Sequence, residues 1–106
     1  MAAVLPAAIP SSLHGTWALE PADCTKGSEA ANRLLVVTSD ELRQFGWRAR
    51  LSGNIIEATP HSIDAEFAFD VDGRISTDQQ ALRRWNDRLV RRNGSQAETT
   101  LYFPCR

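Results

Sequence analysis

The charged residues of this chain are separated into two neighbouring blocks. The stretch from residue 57 to residue 78 is acidic, and Arg74 is its only arginine or lysine. The stretch from residue 80 to residue 92 is basic, and Asp87 is its only carboxylate. Carboxylates and guanidinium groups either pair with each other or bind a partner of opposite charge. The candidate residues for binding a ligand or partner are therefore Asp64, Glu66, Asp70, Arg83 and Arg91.

Two interpretations of this charge separation stay open. Acidic and basic side chains on the wet faces of adjacent strands commonly pair, which stabilises a sheet by about a few tenths of a kcal/mol per pair. Alternatively, the two blocks form a bipolar surface that recognises a partner. Along the predicted strand from Ile63 to Val71 the odd-numbered residues face the interior, so the acidic side chains between them face outward. If the arginines lie on adjacent strands, they neutralise some of these carboxylates and leave the rest as an exposed patch.

The remaining reactive side chains predict no catalytic or cofactor site. His14 and His61 are the only histidines, and neither lies in a sequence context typical of a catalytic triad. The segment 70–75 is similar to the middle of a calcium-binding loop, but Ala68 and Gln79 occupy the positions of its anchoring carboxylates. No phosphate-binding glycine loop is present, and no cofactor or metal is expected. An enzyme remains an alternative, because the stretch 64–78 could hold a carboxylate pair that sequence alone does not reveal.

The two cysteines are Cys24, which follows the first predicted strand, and Cys105, which follows the last. Such a lone pair is typical of periplasmic or secreted domains, so we predict a disulfide between them. Closing a loop of this size stabilises a small domain by roughly 4 kcal/mol. The alternative is two unrelated buried or free thiols. A zinc site is not favoured, because neither cysteine has a second ligand at the spacing of such a site.

Length and composition predict one domain with a modest core. The chain has 106 residues, of which 42% are hydrophobic and 24% charged, and its net charge is -1. This composition is that of a globular protein and gives no reason to expect nucleic acid as a partner. No apolar run reaches the length of a transmembrane helix. Residues 1–12 are small, apolar and uncharged, and we expect either a flexible arm or the remnant of a signal peptide, followed by a single domain over residues 13–106.

Apolar and polar residues alternate along much of the chain, as in strands with one buried and one wet face. The clearest examples run from Arg43 to Leu51, with a bulge or a bend predicted at Gly46, and from Ile63 to Val71. Residues 52–54 are predicted to form a turn, and Asp72-Gly73 a hairpin of type I′. The other predicted strands are 14–19, 33–38, 55–58, 74–76, 80–85, 88–92 and 97–103.

Helical signals are weak by comparison. Residues 11–13 are expected to form a turn or a short 3₁₀ segment, and residues 28–32 at most one helical turn. The short connections force neighbouring strands to be antiparallel, and such a meander commonly closes to remove its edges. The predicted fold class is all-β: a small antiparallel up-and-down barrel of about eight short strands, with an N-terminal arm and no long helix.

The segment Gly15-Thr16-Trp17 at the start of this meander resembles the Gly-x-Trp signature of lipocalin-like (calycin-type) barrels. The resemblance implies that Gly15 and Trp17 are structural, with the tryptophan closing one end of the barrel under an arginine from a late strand. Arg84, Arg91 and Arg106 are the candidates for that arginine. The same segment followed by a cysteine is similar to small periplasmic barrel inhibitors of bacterial metalloproteases, which use an N-terminal arm, although here the second cysteine comes at the C-terminus.

The chain as a whole is also similar to short exported proteins of GC-rich proteobacteria, a resemblance that implies no activity. We expect a non-enzymatic barrel of the cell envelope, periplasmic or secreted, that binds, or binds and inhibits, a partner protein through its surface or its arm. The alternative is a carrier of a small apolar ligand. An eight-stranded barrel is just wide enough to be filled by side chains or to hold one small ligand. Because several aromatic side chains compete for this interior, we expect little cavity.

Overall fold

A computed structural model describes residues 8–94 and 98–105 of the chain. Eight antiparallel strands follow one another in chain order and close into a barrel, which confirms the predicted fold class. The helical segments described are short 3₁₀ turns at Ser11–Leu13, Pro21–Thr25 and Gly27–Arg33. The strands are β1 Gly15–Ala18, β2 Leu34–Val37, β3 Glu41–Gln44, β4 Trp47–Thr59, β5 Ser62–Val71, β6 Arg74–Trp85, β7 Arg88–Asn93 and β8 Glu98–Pro104.

Alternation of side chains along the strands creates the core. On β5 the odd-numbered Ile63, Ala65 and Phe67 are buried, whereas Asp64 and Glu66 between them are partly exposed. Each β5 residue is aligned with a residue of β6 without a break in register, so the inner face continues across this hairpin. The fully buried side chains of the other strands meet these residues inside the barrel: Leu35, Val37, Leu42, Ala49, Leu82 and Leu89.

The hairpin between β3 and β4 differs from the sequence prediction. Residues 43–51 were expected to form one strand with Phe45 on its buried face, but the chain reverses at Phe45-Gly46, and Phe45 is 75% exposed. Gly46 has φ +95°, so its role is to allow the tight turn rather than to form a bulge. The prediction was wrong because the apolar Phe45 lies in the turn but has the same spacing as Trp47 and Ala49, which face inward on β4.

Two other strand boundaries also differ. Residues 52–54 form no turn, because β4 continues to Thr59. Gly53 lies in β4 where the register with β5 shifts, between Leu51 and Ile55. The predicted strands 74–76 and 80–85 are one continuous strand, β6. The type I′ turn is confirmed, since Asp72 has φ 53° and Gly73 φ 83°. The predicted strand 97–103 begins outside the described residues, which resume with β8.

The N-terminal segment packs on the barrel from Ile9 onward. Ile9 is 1% exposed, and its N–H donates to the carbonyl of Ser39 at 2.7 Å. The predicted 3₁₀ segment is present at residues 11–13 and buries Leu13. Within the segment predicted to be an arm or a signal-peptide remnant, residues 9–12 lie against the barrel, and residues 1–7 lie outside the described residues.

The predicted disulfide joins Cys24 to Cys105 across 81 residues. The N–H of Cys105 also donates to the carbonyl of Thr16 at 2.8 Å, which extends the pairing of β1 with β8 by one hydrogen bond. The bridge attaches the loop after β1 to the end of the last strand, where only Trp17 and Ala18 are aligned with β8. Over the described ranges, no helix combines the length and the apolar character required to cross a membrane.

Candidate binding surfaces

One end of the barrel is plugged by the N-terminal segment. Trp17 is 3% exposed, and its indole N–H donates to the carbonyl of Leu13 at 3.0 Å. The guanidinium carbon of Arg84 lies 6.0 Å from the centroid of the Trp17 ring, and an Arg84 N–H donates to the carbonyl of Ser12 at 2.9 Å. Gly15, which precedes this tryptophan by two residues, has φ +128°, a conformation that side-chain-bearing residues rarely adopt.

Among the three arginines considered from the sequence, Arg84 is therefore the one that covers Trp17. It reaches the plug because β6 ends at this end of the barrel. Arg91 lies elsewhere, as described below, and Arg106 is outside the described residues. We call this region, from Ile9 to Trp17 with Arg84, the plugged end.

The outer face of β5 to β8 carries a groove of about 350 Å³. Small and apolar residues form part of its wall, including Ala81 and Val90, and polar or charged residues surround them. A second depression of about 170 Å³ shares Asp64, Ala81 and Arg92 with it and extends toward Gly94. We call the two together the outer groove. Its charged residues are Glu57, Asp64, Arg83 and Arg92.

Opposite charges lie on opposite sides of this groove. Asp64 is aligned with Ala81 on β6, and Ala81 with Arg92 on β7. Neighbouring strands are about 4.8 Å apart, so the Cα atoms of Asp64 and Arg92 are separated by roughly 10 Å. The Asp64 carboxylate accepts a hydrogen bond from the Gln79 side-chain amide at 2.7 Å, rather than one from an arginine. The groove therefore presents an acidic side and a basic side.

The ion pairs found among the described residues lie away from the groove. They join Glu20, Asp23, Lys26 and Arg33 in the loop after β1, and Glu41, Arg43 and Arg50 on β3 and β4. None connects the acidic block to the basic block within the 4.0 Å limit of an ion pair. In this part of the chain, the structure does not contain the cross-strand pairing that the sequence left open.

Glu66 and Asp70 face outward but have local partners. A Glu66 carboxylate oxygen accepts hydrogen bonds from Ser52 at 3.1 Å and from Asn54 at 3.0 Å, so it supports the irregular part of β4. An Asp70 oxygen accepts the N–H of Gly73 at 2.9 Å and stabilises the type I′ hairpin. Neither residue lines the outer groove, which brings together only Asp64 and Arg83 of the five residues predicted from the sequence.

Arg91 faces the interior of the barrel, not the outer surface that the charge pattern indicated. It is aligned with the buried Leu82, and its Nε–H donates to the side-chain oxygen of Gln80 at 2.8 Å. A terminal N–H donates to the Tyr102 hydroxyl at 3.4 Å, and the guanidinium carbon lies 5.0 Å from the Trp47 ring centroid. Arg83 on β6 faces outward, whereas Arg91 on the adjacent β7 faces the interior, so these two arginines lie on opposite sides of the sheet.

We call Trp47, Phe69, Gln80, Arg91 and Tyr102 the mouth cluster, because it lies toward the end of the barrel opposite the plug. Sequence reasoning missed it, although alternation from the apolar Leu89 places Arg91 on the same inner face of β7. It also missed Arg92, whose outward direction follows from the same alternation. The arginine block was predicted to form one surface, but alternation along β7 places Arg91 on the inner face and Arg92 on the outer face.

A buried ion pair organises the loop that carries Cys24. The Asp23 carboxylate is 0% exposed and accepts hydrogen bonds from Arg33 Nε at 2.9 Å and from the Glu20 N–H at 3.1 Å. Burial alone would raise the pKa of Asp23, but the hydrogen bond and charge of Arg33, with smaller contributions from Glu20 and Lys26, lower it below 3.8. The same contact with Asp23 raises the pKa of Arg33.

Comparison with protein-family models, with curated proteins and with solved structures finds no match for this chain. Within residues 8–94 and 98–105, no three histidine, cysteine, aspartate or glutamate side chains are grouped so that they could hold a metal ion. The fold and the two candidate sites, the outer groove and the mouth cluster, are thus the basis for a functional assignment.

Proposed function

We propose that this chain is an exported, non-enzymatic binding protein with a lipocalin-like barrel, which recognises a protein partner of the cell envelope through its outer groove. The observation that carries the proposal is the separation of charge across that groove. Asp64 and Glu57 lie on one side, Arg83 and Arg92 on the other, and none of them forms an ion pair with another described residue.

Unpaired opposite charges are well suited to protein recognition. A partner that carries a basic and an acidic side chain about 10 Å apart would complement both sides of the groove at once. Complementary charges mainly accelerate association and exclude wrong partners, whereas apolar contact at the centre contributes most of the affinity. Ala81 and Val90 would supply that apolar contact.

Separate features of the structure support the proposed compartment and the proposed type of barrel. The disulfide is typical of proteins that fold in an oxidising environment, which favours the periplasm or the extracellular space. A lipocalin-like barrel is supported by the eight antiparallel strands in chain order and by the cation–π contact of Arg84 with Trp17. The packing of Ile9 directs attention to the groove rather than to the N-terminal arm as the binding element.

A carrier of a small apolar ligand is the second hypothesis, and the interior residues do not favour it. Phe67, Leu42 and Leu82 are each at most 1% exposed and pack in one cluster with the N-terminal Ile9 and Leu13. These side chains occupy the space that a long apolar ligand would need. An enzyme with a carboxylate pair is a third hypothesis, but Asp64, Glu66 and Asp70 each bind a local amide or hydroxyl partner instead of one another.

Affinity capture from an envelope extract tests the proposal. Wild-type protein is compared with the double charge reversal Asp64→Lys, Arg92→Glu, which leaves the net charge unchanged. Arg48→Glu is the control, because Arg48 is exposed on β4 and does not line the outer groove. We expect a partner that wild type and the control recover and that the double reversal recovers at least tenfold less. Recovery of the same partners by all three proteins would refute recognition through the groove.

A further inference from the structure

We propose that the mouth cluster is a second binding site, which takes a small organic carboxylate with an aromatic ring. This site is on the inner face of the barrel and is therefore separate from the outer groove. The proposal starts from Arg91, whose guanidinium contacts only neutral groups: the Gln80 amide oxygen, the Tyr102 hydroxyl and the Trp47 ring.

Arg91 forms no ion pair with a described residue. No carboxylate of the described residues comes within 4.0 Å of it, although Arg91 is half-buried. Removing a cation from water without a counter-ion is unfavourable, so such a group favours binding of an anion. Its Nε–H and one terminal N–H are used by protein acceptors, which leaves further terminal N–H groups for a carboxylate.

Two neighbouring donors also lack acceptors. The Tyr102 hydroxyl accepts a hydrogen bond from Arg91 but donates none to any described residue. The indole N–H of the half-buried Trp47 likewise has no acceptor among residues 8–94 and 98–105. A group of hydrogen-bond donors around a cation matches a carboxylate, which only accepts hydrogen bonds when ionised.

The rings at the mouth favour an aromatic body for the ligand. Trp47 and Phe69 lie 5.3 Å apart between ring centroids at an angle of 42°, and both are half-buried. Offset or tilted contacts of this kind are favourable for a further aromatic ring. Phe67 and Gln80 on the same inner face are fully buried, so the interior next to the cluster is filled by side chains.

One carboxylate opposes this site and provides a way to sharpen the test. Asp78 lies on the same inner face of β6 as Gln80 by strand alternation, and it is half-buried. Its side chain accepts the N–H of Gln79 at 2.9 Å. Because a negative charge on the inner face repels an anionic ligand, neutralising Asp78 should strengthen binding.

The experiment is a titration of the disulfide-bonded protein with phenylacetate, followed by ¹⁵N-resolved NMR of the indole and guanidinium N–H signals. We expect phenylacetate to shift the Trp47 and Arg91 signals. The Trp17 indole signal should not shift, because this N–H already donates to the carbonyl of Leu13 in the plugged end. Phenylacetamide and inorganic phosphate are the comparison probes, the first without charge and the second without a ring. Each should bind at least tenfold more weakly than phenylacetate, and equal binding by phenylacetamide would overturn the proposal.

Variants test the same site. Arg91→Gln should weaken phenylacetate binding at least tenfold, and Asp78→Asn should strengthen it. Arg48→Gln, on the exposed outer face of β4 and outside the outer groove, is the control and should bind as wild type. A folded Arg91→Gln protein with unchanged affinity would refute the role of Arg91. If that variant does not fold, the comparison of phenylacetate with phenylacetamide on wild type decides the question without it.

Discussion

The two ends of this barrel use the same pair of residue types for different purposes. At the plugged end Arg84 lies 6.0 Å from the ring centroid of Trp17, and at the mouth Arg91 lies 5.0 Å from that of Trp47. The carbonyls of Leu13 and Ser12 accept the N–H groups of Trp17 and Arg84. At the mouth the indole N–H of Trp47 has no acceptor among the described residues. The comparison shows that the surrounding main chain decides whether an arginine–tryptophan pair is structural.

The physical difference between the plugged end and the mouth is the N-terminal segment, which packs on the plugged end. Its 3₁₀ turn brings unpaired carbonyls over one end of the barrel, where they satisfy donors that would otherwise be buried without partners. Trp17 is consequently closed from water at 3% exposure, whereas Trp47 stays half-buried. We therefore assign stability to the plugged end and ligand binding to the mouth.

The largest effect is expected for Trp17→Ala. It should lower the free energy of unfolding by about 3–5 kcal/mol, because it removes a fully buried aromatic side chain and leaves a cavity. Trp47→Ala should cost less, about 1–2 kcal/mol, because its ring is only partly removed from water. Denaturant unfolding measures both values. Equal costs at the two positions would contradict the assignment of stability to the plug.

Ile9→Ala should cost about 2–4 kcal/mol in the same measurement, since its buried side chain packs in the core cluster with Leu13. Ala8→Gly is the control, because Ala8 is exposed, and it should change stability by less than about 0.5 kcal/mol. A near-zero effect of the Ile9 substitution would mean that the N-terminal segment does not plug the barrel and acts as a flexible arm.

Removing the disulfide should cost roughly 2–4 kcal/mol, because the bridge restricts an unfolded chain over a long loop. The change is the double substitution Cys24→Ser, Cys105→Ser, compared with the oxidised protein by thermal unfolding. Alkylation of the freshly isolated protein without reductant should modify neither thiol. Two alkylated cysteines would show that the bridge is not formed in the cell.

The smallest effect concerns pH and the Asp23–Arg33 ion pair. Because the folded protein lowers the pKa of Asp23, the ionised carboxylate contributes stability above pH 3.8, and this contribution is lost as the pH falls through the folded value. Asp23→Asn should therefore lower the melting temperature at pH 7, and the difference from wild type should shrink as the pH falls from 4 toward 2. A difference that does not depend on pH would contradict this account.

Much of the fold could be predicted from local patterns. The alternation from Ile63 to Val71, the Asp72-Gly73 turn and the two cysteines each correspond to the structure, because each depends on neighbouring residues or on elimination. The hairpin at Phe45-Gly46 was missed because Phe45, an apolar residue in the turn itself, has the same spacing as the inward-facing Trp47 and Ala49 of β4. The packing of Ile9 was missed because it depends on a carbonyl of Ser39, far along the chain.

The candidate sites were predicted less completely. Asp64 and Arg83 line the outer groove, but the charge pattern placed Arg91 with them on the surface. Composition shows how many arginines a strand contains, whereas register decides the face on which each lies. Arg91 and Arg92 are adjacent in sequence and point to opposite sides of β7, so one belongs to the mouth cluster and the other to the groove.

Binding kinetics of the recovered partner test the central claim, recognition through the outer groove, most directly. Immobilised wild type, Asp64→Lys, Arg92→Glu and the Arg48→Glu control are compared at low and at physiological salt. We predict that each groove reversal weakens binding at least tenfold, mainly through slower association, and that the loss is larger at low salt. The Arg48→Glu control should bind as wild type. Unchanged association rates for both groove reversals would contradict the account.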